Sequence, residues 1–66
     1  MPVKVIHEDV ERDVDISNGT KVEEVLEEVD VNPETVIAEV DGEVVSLEEE
    51  VEGGEELKLL NVVSGG

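Results

Sequence analysis

The last ten residues, LKLLNVVSGG at positions 57–66, join an apolar run typical of a buried strand to a terminal Gly-Gly. Glycine has no Cβ, so an arm that ends in Gly65-Gly66 is able to enter a narrow active site in an extended conformation. Its carboxylate is then free to attack a nucleotide phosphate and become an activated acyl group. Chain ends are more often disordered and functionless, so a frayed end or a cloning scar is the alternative. The remainder of the sequence decides between the two.

The composition limits the class of protein. The 66 residues are enough for a single domain, and they include no cysteine and no aromatic side chain. The lack of cysteine excludes disulfides, thiolate metal sites and a cysteine nucleophile, and the lack of aromatic rings excludes stacking platforms for bases or sugars. No apolar run is long enough for a signal peptide or a transmembrane span, so we expect a cytoplasmic protein.

The charge is strongly negative. Twenty acidic residues face four basic ones, which gives a formal net charge of −16. Such a surface repels phosphate groups, so neither nucleic acid nor an anionic membrane is expected as a partner. Three explanations of the charge compete: salt adaptation as in halophiles, disorder and a docking surface for a basic partner. The first is favoured, because the acids are spread along the chain and regular apolar periodicity persists among them.

The first half of the chain predicts a β-hairpin followed by a helix. Apolar residues alternate with polar ones over 2–8 and again over 11–17, which is the pattern of two half-buried strands joined by a short turn. Apolar residues then recur at helical spacing over 21–29. Thr20, with Glu23 three residues later, reads as the N-cap and capping box of that helix.

The second half predicts a second hairpin and a final strand. A third strand over 36–40 is followed by Asp41-Gly42, a strong signal for a tight hairpin, and by a short fourth strand. Gly53-Gly54 makes a further turn, and the last strand runs over about 56–63. We therefore expect an α+β domain, in which one helix packs across one face of a mixed sheet of four to five strands. The long apolar run at the end suits a central position, with the first and last strands side by side.

Two segments carry a resemblance to a known family. VIAEVDGEVV at 36–45 and GGEELKLL at 53–60, together with Gly65-Gly66, resemble the ubiquitin-like β-grasp proteins. The similarity is greater to the small archaeal modifier proteins and to the sulfur carriers of thiamine and molybdopterin synthesis, and the size and acidity are similar to the modifiers of halophilic archaea. The resemblance implies a β-grasp domain over 1–63 and a flexible tail over 64–66.

The same resemblance implies a function for the terminal carboxylate. In such proteins an ATP-dependent, E1-like activating enzyme adenylates the carboxylate, which here would be that of Gly66. Sulfur then attacks the adenylate to give a thiocarboxylate, or the acyl group passes to a lysine amine of a target protein as an isopeptide. The protein is then a substrate and carrier, not an enzyme, and needs no cofactor. Several family members carry an aromatic or basic residue before Gly-Gly, whereas this chain has Val62-Val63-Ser64, and both acyl fates remain open.

The last strand also predicts a docking face. Because strand side chains alternate, Leu57 and Leu59 should face the helix, while Lys58 and Leu60 point the other way. Ile37 is out of phase with its neighbours and is expected to join Leu60 there, as a docking site for the activating enzyme. Ordinary surface hydrophobicity is an equally weighted explanation. Lys58 is a candidate isopeptide acceptor, including for the Gly66 of another copy.

Other chemistry finds little support in the sequence. His7 stands alone, without a second histidine or a cysteine to build a metal site or a catalytic dyad, so it reads as a plain strand residue. Glu48-Glu49-Glu50 lacks the spacing of a calcium loop and reads as a solvated acidic face. We therefore predict no catalytic and no metal-binding residues. The leading hypothesis, from the resemblance, is a ubiquitin-like modifier that is joined to lysines through Gly66 and can double as a sulfur carrier. The rival hypothesis is an acidic, non-covalent binding module with an inert tail.

Overall fold

A computed structural model describes residues 1–62 as a five-stranded sheet with one α-helix. Residues 63–66, and with them the predicted tail over 64–66, lie outside the described range. The sequence forms the following elements: β1 Pro2–His7, β2 Val10–Asp15, α1 Val22–Glu28, a 3₁₀-helix Pro33–Thr35, β3 Val36–Val40, β4 Glu43–Val45 and β5 Glu56–Asn61. All five predicted strands and the predicted helix are present, with ends that differ by one or two residues.

The sheet has the order β2-β1-β5-β3-β4. The first and last strands, β1 and β5, lie side by side and run parallel, whereas the other three pairs are antiparallel. The two hairpins therefore flank a central strand that is contributed by the end of the chain. This confirms the expected α+β class, the mixed sheet and the central pairing of the terminal strands.

The core lies between the sheet and α1, and it is wholly aliphatic. Alternate residues of β1 and β5 point into it, as the strand period of two requires. The described residues include no buried polar or charged side chain. The buried residues are Val3 and Val5 of β1, Val22, Val25 and Leu26 of α1, Val29, Val36 and Ala38, Val51, and Leu57 and Leu59 of β5.

The start of α1 differs from the prediction. Thr20 and Glu23 do not form the capping box; the N-cap residue is Lys21, and Glu24 occupies the third helical position. The Glu24 carboxylate accepts a hydrogen bond from the Lys21 N–H at 3.0 Å. Thr20 Oγ1 instead accepts from the Ser17 N–H at 3.1 Å, in the preceding turn. The prediction of Thr20 as the N-cap was therefore wrong, and the role predicted for Glu23 is taken by Glu24.

A neighbouring loop explains why α1 needs no side-chain acceptor at its cap. The first N–H groups of a helix have no partner within the helix. Here the Val22 N–H donates to the Glu49 carbonyl at 2.9 Å, and the Glu23 N–H donates to the Leu47 carbonyl at 3.0 Å. The residues before Glu50 therefore hold the start of α1 through their backbone carbonyl groups, while their carboxylates remain exposed. This long-range contact overrides the local capping preference of Thr20.

Both hairpins turn through two residues with positive φ. Asp41 and Gly42 have φ of 50° and 88°, as a type I′ turn requires, which confirms the predicted tight hairpin. The first hairpin uses Glu8 and Asp9, with φ of 52° and 64°. Neither is glycine, and side chains with a Cβ adopt this region at a cost of about 1 kcal/mol each. The sequence carries no strong turn signal at that position.

Surface charge is poorly compensated in this fold. Among residues 1–62, the ion pairs are Lys4 with Glu11 at 3.4 Å and His7 with Glu8 at 3.8 Å, and the second forms only when the histidine is protonated. The exposed face of α1 adds two like-charged i,i+4 pairs, Glu23 with Glu27 and Glu24 with Glu28. Each such pair is unfavourable by a few tenths of a kcal/mol. Folding brings these charges together, so self-repulsion opposes the compact state.

We predict that the melting temperature rises with salt, by about 10 °C or more between about 0.01 M and 1 M KCl, because the Debye length falls from about 30 Å to 3 Å over that range. The protein should be partly unfolded at the lower concentration at pH 7. Thermal melts followed by circular dichroism measure this effect. A melting temperature that stays constant would show that charge repulsion does not limit the stability of this fold.

We also predict opposite outcomes for two neighbouring substitutions in β5. Leu59 is 3% exposed and Leu60 is 36% exposed. Leu59→Asp buries an unpaired carboxylate and should lower the free energy of unfolding by at least about 3 kcal/mol, whereas Leu60→Asp should lower it by about 1 kcal/mol or less. Urea unfolding at a salt concentration that keeps the parent protein folded compares the two. Equal losses in both variants would contradict the register of β5.

Candidate functional site

The strand that leads to the C terminus is fixed up to its last residues. Asn61 ends β5, and its side-chain Oδ1 accepts a hydrogen bond from His7 Nε2, at the end of β1, over 2.9 Å. The next residue, Val62, donates its backbone N–H to the Thr35 carbonyl, just before β3, also over 2.9 Å. The chain is thus anchored to both neighbouring strands where the described residues end. Whatever follows Val62 starts from a defined point on the domain.

His7 has a structural contact that sequence reasoning did not identify. The prediction of a strand histidine without chemistry rested on the absence of partner residues. In the structure, His7 lies half-buried and bonds to a residue 54 positions away in the sequence. No local sequence pattern predicts such a contact. It follows only from the parallel pairing of β1 with β5, in which His7 lies opposite Leu59 and so reaches the residues just beyond it.

The face of the sheet turned away from α1 carries the predicted docking residues. Ile37 of β3 lies directly opposite Leu60 of β5. They are 41% and 36% exposed, and we refer to these two residues as the open-face pair. Val62, two residues after Leu60, is 40% exposed. An exposed aliphatic surface therefore adjoins the point from which residues 63–66 continue.

Lys58 lies on the same face, one row away from the open-face pair. Its direct neighbours across the sheet are Ile6 on β1 and Glu39 on β3. Its side chain is exposed, and no carboxylate among the described residues lies within ion-pairing distance of it, in contrast to Lys4. An exposed amine without a close ion-pair partner suits the role of an acceptor. That role stays a prediction.

Gly65 and Gly66, the predicted site of activation, lie outside the described residues. Covalent geometry alone limits their reach. Four residues after Val62 span at most about 13 Å when extended. The terminal carboxylate is therefore within about that distance of Val62, which is itself anchored through Thr35.

The many acidic residues of the described range do not form a metal-binding cluster. Within residues 1–62, no group of three or more histidine, aspartate and glutamate side chains is placed to hold a metal ion. The three side chains of Glu48–Glu50 are exposed and do not converge on a common point of that kind. The helix of the described part of the chain is neither long nor apolar enough to cross a membrane.

Comparison with known proteins places nearly the whole chain in one family. The family model described as the ThiS family matches residues 3–66. The sulfur carrier protein TtuB of Thermus thermophilus is 40% identical over 55 residues, which cover 83% of this chain and 85% of that protein. An uncharacterized protein of Archaeoglobus fulgidus is 43% identical over 49 residues, which cover 74% of this chain and 72% of that protein.

These matches cover almost the whole chain and confirm the resemblance drawn from the two sequence segments and the terminal Gly-Gly. The matched region includes all five strands and the helix, and it continues to the last residue. The mixed sheet with one helix across it is the β-grasp arrangement that the resemblance implied. The chain belongs to the ThiS family of ubiquitin-like β-grasp proteins.

Proposed function

We propose that this protein is a sulfur carrier that bears a thiocarboxylate on Gly66 after activation by an ATP-dependent, E1-like enzyme. The observation that carries the proposal is the extent of the family match, which continues through Gly65 to Gly66. A terminal Gly-Gly inside the family region is not explained as a cloning scar. The relative from Thermus thermophilus is named a sulfur carrier protein. Membership of this family also confirms the prediction that the chain is not an enzyme.

The proposed chemistry occurs at one carbonyl carbon. An oxygen of the Gly66 carboxylate attacks the α-phosphorus of ATP, and pyrophosphate leaves. The product is an acyl-adenylate, in which AMP is a good leaving group. Hydrosulfide attacks the carbonyl carbon, the bond to the AMP oxygen breaks, and the thiocarboxylate remains. This chain supplies the carboxylate, while the activating enzyme supplies the catalytic groups.

This chain contributes the position of the reacting carboxylate relative to the docked domain. Reaction rates depend steeply on the position of the reacting group, and a misplacement of about 1 Å can lower the rate about a hundredfold. The hydrogen bonds of Asn61 and Val62 fix the start of the tail relative to the sheet. The open-face pair lies beside that start, so an enzyme that docks on Ile37 and Leu60 receives the tail at a defined distance.

A second acyl fate uses the same adenylate. A lysine amine of a target protein attacks the carbonyl carbon, AMP leaves, a proton is released and an isopeptide bond forms. Lys58 supports the version in which the target is another copy, because it is exposed on the face beside the tail. Intact mass spectrometry of protein from its native cell separates the fates. A gain equal to the mass difference between sulfur and oxygen indicates the thiocarboxylate. Conjugation is indicated instead when trypsin digestion, which cleaves after Lys58, leaves residues 59–66 attached to lysines of other proteins.

We predict that deletion of Gly66, or addition of one residue after it, abolishes activation while leaving the melting temperature unchanged. The last buried residue of the described range is Leu59, seven residues before Gly66, so the loss of Gly66 should cost little stability. A change of one residue displaces the carboxylate by about 3.5 Å, which is enough to lower the rate by a hundredfold or more. ATP–pyrophosphate exchange with the activating enzyme measures this. Exchange at the parental rate by the truncated chain would refute the assignment of Gly66.

We predict that Leu60→Asp lowers the apparent affinity for the activating enzyme at least tenfold with little change in stability, because it places a charge in an apolar contact. Val10→Asp is the matched control, since Val10 is 55% exposed but lies on β2, away from the open-face pair. The concentration dependence of the same exchange reaction reports the affinity. If the two variants lose affinity equally, the open-face pair is not the docking site.

A further inference from the structure

The edge of the sheet formed by β2 has a free row of backbone groups. β2 pairs only with β1, and Val10 lies opposite His7 across the two-residue turn. In an antiparallel pair, successive residues alternate between bonding to the partner strand and pointing away from it. The residues that point away are Glu11, Asp13 and Asp15. Their N–H groups make no other backbone hydrogen bond within residues 1–62.

The two faces of this edge strand differ in chemistry. Glu11, Asp13 and Asp15 project from the open face of the sheet, and all three are exposed. Among these three and within residues 1–62, Glu11 alone makes an ion pair, with Lys4 at 3.4 Å, while Lys4 itself lies opposite Asp13. The intervening residues, Val10 and Val14 among them, project toward the side of the sheet that carries α1. The edge therefore presents a row of carboxylates on one face and, on the other, Val10 and Val14 with Arg12 between them.

A groove runs beside the aliphatic face of β2. It consists of two adjoining cavities of about 210 Å³ and 530 Å³, which share Arg12 and Val29. Aliphatic side chains from β1, from β2 and from the end of α1 line the smaller cavity, together with polar groups of His7, Glu8 and Arg12. Val10 stands at its rim and is 55% exposed. Side chains of an added strand would enter this groove at every second position.

A second copy of this chain does not fit the edge. Two β2 strands paired edge to edge would place the carboxylates of Glu11, Asp13 and Asp15 against the same three carboxylates, and like charges opposite each other on neighbouring strands are destabilising. The net charge of −16 on each copy adds to the repulsion. The C-terminal strand of the same chain is also remote from this edge, because β1 lies between β2 and β5. The occupant must therefore bring positive charge from another molecule.

We propose that the β2 edge binds an extended segment of another protein in which aliphatic residues alternate with lysine or arginine. The segment adds a sixth strand through the outward N–H and carbonyl groups of Glu11, Asp13 and Asp15. Its basic side chains lie along the carboxylate row, and its aliphatic side chains enter the groove beside Val10 and Val29. This interaction is non-covalent, uses neither the tail nor the open-face pair, and leaves Gly66 free to be activated.

The test is a titration of isotopically labelled protein with an acetylated and amidated peptide of sequence Lys-Val-Lys-Val-Lys-Val, followed by NMR. The salt concentration is the lowest at which circular dichroism shows the protein folded. We expect chemical-shift changes at residues 10–15 and at Val29, and none at the opposite edge strand, Glu43–Val45. A peptide of the same composition with three lysines before three valines should bind at least tenfold more weakly, because only alternation matches both faces. Equal binding of the two peptides, or shifts centred on the open-face pair, would overturn the proposal.

Two substitutions at Asp13 separate the contribution of backbone hydrogen bonds to binding from the contribution of charge. Asp13→Pro removes an outward N–H that β1 does not use, and proline is tolerated at such edge positions, so it should abolish binding. Asp13→Asn keeps that N–H and removes only one charge, so it should weaken binding two- to threefold, within the range of single exposed charge pairs. The alternating peptide with every backbone nitrogen methylated tests the same point without altering the protein. Binding of the methylated peptide as tightly as its parent would show that no strand is added.

Discussion

Leu57 and Leu59 bind the end of the chain into the centre of the molecule, and the other features depend on this contact. Their burial fixes the register of β5 against β1 and β3. Because side chains alternate along a strand, the same register turns Lys58 and Leu60 outward and brings Asn61 next to His7. A slip by one residue would exchange the two faces, so that Leu57 and Leu59 would turn to the open face and Lys58 would be buried in the core. Packing therefore determines the position of the functional surface as well as the stability of the fold.

The acidic residues restrict the fold in a different way. The core contains only aliphatic side chains, and all the acids of the described part of the chain lie outside it. A small core of this kind gives a low free energy of unfolding, and no aromatic residue adds to it. The few cations are therefore distinctive: Lys4 neutralises one end of the β2 carboxylate row, Lys58 stands beside the open-face pair, and Arg12 lies in the groove. Because acids are spread along the whole chain, long-range attraction alone does not direct a basic partner to one site, and apolar contacts add to that choice.

Local sequence signals predicted most elements, and long-range contacts account for the errors. Asp41-Gly42 specified its hairpin, because both positions need positive φ, and the periodicity of Val22, Val25 and Leu26 specified the helix. The cap was displaced from Thr20 to Lys21 because carbonyl groups of a distant loop bind the first N–H groups of α1. The contact between His7 and Asn61 had no local signal, since it joins residues far apart in the sequence. The open-face neighbours Ile37 and Leu60 followed from strand alternation, whereas the free edge of β2 became visible only with the strand order.

The parallel pairing of β1 with β5 has a consequence for how the protein is made. During synthesis the first strand emerges early, but the strand that must lie beside it is the last to be translated. A chain interrupted before residue 57 has neither central leucine, so its two hairpins lack the strand that joins them. Such contacts between distant parts of the sequence form late and slowly, after the loop between them has closed. A product that lacks β5 therefore cannot complete the sheet, and proteases that recognise unfolded chains would encounter its two hairpins unjoined.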